Sequence, residues 1–153
     1  MSRSPSKRTF TVQQANAALP LIRAIVSDLV HLSKEVLERR QRLAMLFDGR
    51  RRDSSDPYRQ ELAQIEEELD KDSQRLREFV DELVQLGVEP QSATEGLVDF
   101  PSLIDGRRVY LCWKLGENEV LFWHELDAGY QGRQPLAAGS IATGRLPSGG
   151  SIA

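Results

Sequence analysis

Two apolar seams with heptad spacing, separated by a short polar loop, leave this chain few ways to fold. From Ile22 the apolar positions run Ile22, Ile25, Leu29, Leu32, Val36, Leu43 and Leu46, broken only at Arg39. The second seam is Tyr58, Leu62, Ile65, Leu69, Leu76, Phe79, Leu83 and Leu86, broken only at Asp72. Between them, Asp48-Gly49 predicts a helix end and 50–55 a polar loop. Asp56 then suits an N-cap and Pro57 a first helical turn. Seams of matching length joined so closely predict an antiparallel two-helix coiled-coil hairpin, each helix about 30 residues and roughly 45 Å long. Between Pro20 and Arg52 eight Lys/Arg stand against four Asp/Glu, and between Asp56 and Leu86 four stand against ten. Opposite charge on the two helices favours their pairing over self-pairing of either. A loop centred near Arg52 predicts Leu29 beside Leu76, Leu43 beside Leu62, Arg39 beside Glu66 and His31 beside Asp72.

The ends of the hairpin carry their own signals. Thr11 and Gln14 have capping-box spacing, so the first ordered element starts at Thr11. Pro20 lacks an N–H and crowds the preceding turn, which predicts a helix ending or kinking there. Gly87 suits a C-cap. Near the base, Leu21, Val26, Val30, Val80 and Val84 widen the apolar stripe, so the base should bury against something else. The distal half, with only its seam, should project into water.

After Gly87 the apolar period changes to two. Val88 to Glu95 is expected as a connector containing Pro90, followed by Leu97 to Pro101 and a turn at Asp105-Gly106. Arg108 to Leu115 and Glu119 to Leu126 flank Gly116-Glu117-Asn118 as a β-hairpin. A two-residue turn at Glu117-Asn118 puts Val109, Leu111, Trp113, Leu115, Val120, Phe122, His124 and Leu126 on the face toward the helices. Arg108, Tyr110, Cys112, Lys114, Leu121, Trp123 and Glu125 then take the other face, and a one-residue slip exchanges these sets. The fold class is therefore α+β, a helical hairpin with a small antiparallel sheet on its base. The expected boundaries are a disordered basic arm at 1–10, one domain at 11–136 (hairpin 11–87, β-module 88–136) and a flexible Gly-rich tail at 137–153.

No apolar run is expected to span a bilayer, and no signal-type apolar stretch follows the basic start. Cys112 is the only cysteine, which excludes an intrachain disulfide and Cys-rich zinc frameworks. The expected location is the cytoplasm.

Gly96-Leu97-Val98-Asp99-Phe100-Pro101, Gly106-Arg107, Leu111-Cys112-Trp113, Leu115-Gly116-Glu117, Trp123-His124 and Gly132-Arg133 resemble one bacterial family. It is the domain-of-unknown-function family numbered 2203, some members of which are labelled division initiation protein. Phe10-Thr11, Ala15-Asn16 and Leu19-Pro20 resemble that family's opening, and the resemblance reaches to about residue 136. It implies no activity.

The residues that could bind something cluster in the β-module. Asp99, Glu117 and His124 offer metal-capable atoms, with the Cys112 thiol nearby. Trp113, Trp123, Tyr110 and Tyr130 with Arg107, Arg108 and Arg133 could instead wall a pocket for a phosphate or a base, although such tryptophans more often fill a small core. The expected ligand-binding set is Asp99, Trp113, Glu117, Trp123, His124 and Arg133, converging where the sheet meets the helix base. No catalytic residue and no cofactor is predicted, a divalent metal being the alternative. The leading expectation is a non-enzymatic scaffold that engages a protein partner, or itself, through the hairpin, with no membrane or nucleic-acid role. The runner-up is a small-ligand or metal-binding protein, enzymatic or not.

Overall fold

The computed structural model describes residues 8–47 and 57–136. The expected loop at 48–56, the basic start at 1–7 and the tail at 137–153 lie outside the described residues. Two helices, α1 (Val12–Phe47) and α2 (Arg59–Gln85), form the hairpin. Five strands follow: β1 (Glu89–Ser92), β2 (Leu97–Ile104), β3 (Arg107–Lys114), β4 (Phe122–His124) and β5 (Gln134–Pro135). They pair in chain order as one antiparallel meander, and α1 packs along α2, an α+β arrangement.

The Thr11–Gln14 capping box forms as expected. Gln14 N–H donates to Thr11 Oγ1 and Thr11 N–H donates to Gln14 Oε1, both at 3.0 Å. Pro20, expected to end or kink the helix, lies inside a single α1 of 36 residues. The buried side chains on either side of it, Ala15, Leu19, Ile22 and Val26, supply the apolar contact that carries the helix through the missing hydrogen bond. Phe10, expected in a disordered arm, is 2 % exposed. Its N–H donates to the Pro101 carbonyl and its own carbonyl accepts from Ser102 Oγ. Pro57 and Tyr58 form a turn ahead of α2, and not its first turn. At the other end Gly87 takes φ 91° and its N–H donates to the Val84 carbonyl, closing the helix as a C-terminal glycine does.

The polar partners across the hairpin differ from those expected, although Leu29 and Leu76 do line one hollow. Arg39 Nη2 bonds Asp72 Oδ2 at 2.5 Å, six residues beyond Glu66, and Arg40 bonds Ser73 Oγ. His31 faces Glu35 on its own helix at 3.1 Å, and not Asp72. The two polar interruptions of the seams thus pair with each other. The base is broad as expected, Ile22, Val26, Leu29 and Leu83 being nearly inaccessible, but Leu21 and Val84 are more than half exposed. Contrary to expectation, α1 is long and apolar enough over one stretch to cross a bilayer by length and composition alone. Its apolar side chains instead join Val98, Phe100, Leu111, Trp113 and Val120 of the β-module in one core.

The connector expected at 88–95 contains β1, with a bulge between Pro90 and Ser92. Asp105 (φ 55°) and Gly106 (φ 78°) make the two-residue turn between β2 and β3, matching the right-handed twist of the strands. β3 and β4 are antiparallel neighbours, but residues 115–121 connect them in place of a two-residue turn. Val120 N–H is held by Asn16 Oδ1 of α1, and the Leu121 carbonyl accepts from Leu136 N–H. The strand resumes at Phe122 one position out of the expected alternation. Trp123 therefore packs toward the helix core, while Phe122 and His124 join Tyr110 and Cys112 on the opposite face.

Candidate functional site

That outer face brings polar residues into the dry part of the sheet. Asp99 of β2 stands opposite Cys112 of β3, and His124 of β4 stands opposite Tyr110, diagonal to Cys112. Cys112, His124 and Asp99 are 0, 2 and 3 % exposed. His124 Nδ1 lies 2.7 Å from the Glu125 carbonyl oxygen and Nε2 lies 3.1 Å from Asp99 Oδ1. A carbonyl only accepts, so Nδ1–H donates to it, and Nε2 and Oδ1 share one proton between them. The Cys112 Sγ adjoins them, the donor atoms of all three residues lying within 4.8 Å of one another.

Burial dominates the electrostatics. Desolvation raises the Asp99 carboxyl above its usual range, against the pull of His124 and the Cys112 thiol. Desolvation, reinforced by the Asp99 charge, pushes the Cys112 thiol up to about 12. Tyr110 also rises to about 12, through burial and then its 2.8 Å hydrogen bond to Glu89 of β1. Cys112 is thus a protonated thiol at neutral pH, the opposite of an activated nucleophile.

The other expected site residues divide between two places. Glu117 Oε2 accepts from Arg133 Nη2 at 2.6 Å, while its Oε1 accepts from Lys114 N–H. The Arg133 guanidinium lies 3.8 Å from the Phe122 ring centroid and 4.7 Å from that of Tyr130. Glu117 and Arg133 therefore tie the 115–121 connection to the chain after the Tyr130–Gly132 turn. Arg133 stacks on Phe122, the residue opposite Cys112, so the pair lies on the same face as Asp99 and His124. Trp113 and Trp123 belong to the helix-facing core, and Trp113 Nε1 donates to the Glu117 carbonyl. The expected convergence at the helix base is thus corrected: the polar groups gather on the outer face, without a tryptophan wall. Arg107 pairs with Glu125 and lies over Trp123, whereas Arg133 lies over Phe122 and Tyr130, so among the described residues the two cations take different rings.

Sequence reasoning underrated Cys112 and missed Glu89. The signal was present in Asp99, an acid inside an otherwise apolar strand, but only the β3–β4 register shows which residues meet it.

A family model described as Uncharacterized conserved protein (DUF2203) matches residues 8–136. No curated protein matches the chain, and no solved structure does. The match spans both helices and all five strands, so the chain belongs to the DUF2203 family of uncharacterized conserved proteins.

Proposed function

We propose that this is a cytoplasmic, non-enzymatic interaction protein whose hairpin associates with a second copy of itself. One observation carries the reading: the distal half of the hairpin leaves apolar surface uncovered. Leu37, Met45, Leu46 and Tyr58 are 49, 75, 42 and 54 % exposed. Leu46 and Tyr58, with Leu62, Ile65 and Glu61, line an open groove of about 510 Å³. Apolar surface in contiguous patches marks association sites. Charge favours a second copy as the occupant. α1 carries five Lys/Arg against three Asp/Glu and α2 four against nine, so α1 of one copy complements α2 of the other. The single, deeply buried cysteine accords with a reducing compartment.

Sedimentation equilibrium tests this. The parent is expected to dimerise, more weakly at high salt because exposed charges are screened. Met45→Glu with Leu46→Glu is expected to give a monomer with unchanged helix content. A parent that stays monomeric at millimolar concentration in low salt overturns the reading.

A further inference from the structure

A fully buried Asp–His–Cys group is costly unless its polar atoms find partners, and His124 finds both of its own in a way that matters for what could replace the group's protons. His124 is fixed by its Nδ1–H on the Glu125 carbonyl, which aims Nε2 at Asp99. This is the orientation metal-ligating histidines commonly have, the second nitrogen held by a carbonyl. One proton lies between Nε2 and Asp99, and a second sits on Cys112. The trio is then neutral overall.

We propose that Asp99, Cys112 and His124 form a three-ligand site for a divalent ion of the zinc class, the ion taking the place of those two protons. The balance is simple. Removing the shared proton and the thiol proton leaves a carboxylate, a thiolate and a neutral imidazole. Two negative charges meet one doubly positive ion, so the buried site stays neutral with and without metal, and the two protons go to solvent. The candidate ligand atoms all lie within 4.8 Å of one another. A tetrahedral zinc ion holds N, O and S donors roughly 3.3–3.6 Å apart, so closure takes about one ångström of side-chain movement. The strands already set the positions. A thiolate beside an imidazole selects zinc, cobalt or cadmium over magnesium and calcium, which prefer oxygen. Three protein ligands leave a fourth position for water or a small anion.

The surrounding charges permit the ion. On β1, Glu89 faces the site through Tyr110 of β3, and Arg108 lies on the far side of Tyr110 in the chain. Arg133 is the cation nearest in effect to Cys112, and Glu117 neutralises it at 2.6 Å. The site is independent of the hairpin surface, so failure of one reading leaves the other standing.

Cobalt(II) is the probe, added to the native chain and also during its refolding, so that burial cannot block entry. One ion per chain is expected, with tetrahedral visible bands and a near-ultraviolet thiolate-to-cobalt band that zinc displaces. Calorimetry in buffers of different ionisation heat is expected to show about two protons released per ion near neutral pH. Cys112→Ser keeps a hydroxyl to donate to Asp99, so it should fold. It is expected to lose the thiolate band and roughly a hundredfold or more in affinity. Should Cys112→Ser fail to fold, zinc protection of the parent's thiol from alkylation in mild denaturant replaces it, and no protection counts against the site. His31→Ala, which removes the other histidine, is expected to change nothing. Absence of binding to refolded parent, a thiolate band surviving in Cys112→Ser, or binding without proton release overturns the proposal.

Discussion

Cys112 and Tyr110 neighbour each other across one strand position, and both are held as neutral acids by burial. Each has its folded value raised to about 12, from 9.0 for the thiol and 10.0 for the phenol. A raised value means the folded state binds the proton more tightly than the unfolded chain. The resulting stabilisation is complete below the unfolded value and is lost as pH rises through the folded one. Stability is therefore expected to fall between about pH 9 and pH 12, and denaturant melts across that range measure it. Cys112→Ser and Tyr110→Phe should each flatten the fall. A parent that melts identically at both ends would show that neither group is linked to folding. Asp99 follows the same sign at the acid end: its carboxyl is raised from 3.8, so ionising it on raising the pH costs stability. Asp99→Asn mimics the protonated acid and should gain on the parent as pH rises from about 4 toward neutrality, read from melts at each pH. At this scale the sequence showed which residue types were unusual, but not that His124 and Asp99 would meet. That meeting depends on a one-residue offset in β4 imposed by contacts with Asn16 and Leu136.

The hairpin register illustrates what an element's own pattern can and cannot specify. Apolar seams repeat, so sliding one helix by about two turns leaves most pairings chemically equivalent. Unique residues must break the tie, and here they are Arg39 and Asp72, one cation and one acid, each the sole interruption of its seam. Reading the two interruptions as partners of each other would have given this contact without coordinates. Their side chains are 28 and 27 % exposed, so a double-mutant cycle on Arg39→Ala and Asp72→Ala should give a coupling of about 0.5–1 kcal/mol. The same cycle on His31 and Asp72 should give none. Gly96, between β1 and β2, tests the junction of hairpin and sheet. It has φ 69°, and a Cβ there would come within 2.7 Å of Leu115 Cβ and 3.0 Å of Val30 Cγ2. Gly96→Ala combines a left-handed backbone with overpacking and should cost about 1–3 kcal/mol in chemical denaturation. A cost below a few tenths would mean that α1 and the connection can move apart freely.

Among the described residues, exposed apolar side chains gather toward the hairpin tip, although Leu62 stays buried there. Ile22, Val26, Leu29 and Leu83 sit between the helices and the sheet, whereas Leu43 and Ile65 are only half-buried and Leu46 is exposed. Helical hydrogen bonds persist where tertiary packing supports them, since propensity alone leaves isolated helices marginal. The tip should therefore open locally at lower free energy than the base, without global unfolding. Native-state hydrogen exchange is expected to show amides at 40–47 and 59–65 exchanging about a hundredfold faster than those at 22–30 in dilute solution. Self-association adds a second, separable expectation. Packing two tips together supplies the cover that each lacks, so distal rates should slow as protein concentration rises while base rates stay fixed. Tip and base exchanging at one rate would mean that the narrow distal seam suffices for a single cooperative unit. A gradient that ignores concentration would keep the packing argument and remove the second copy from the tip.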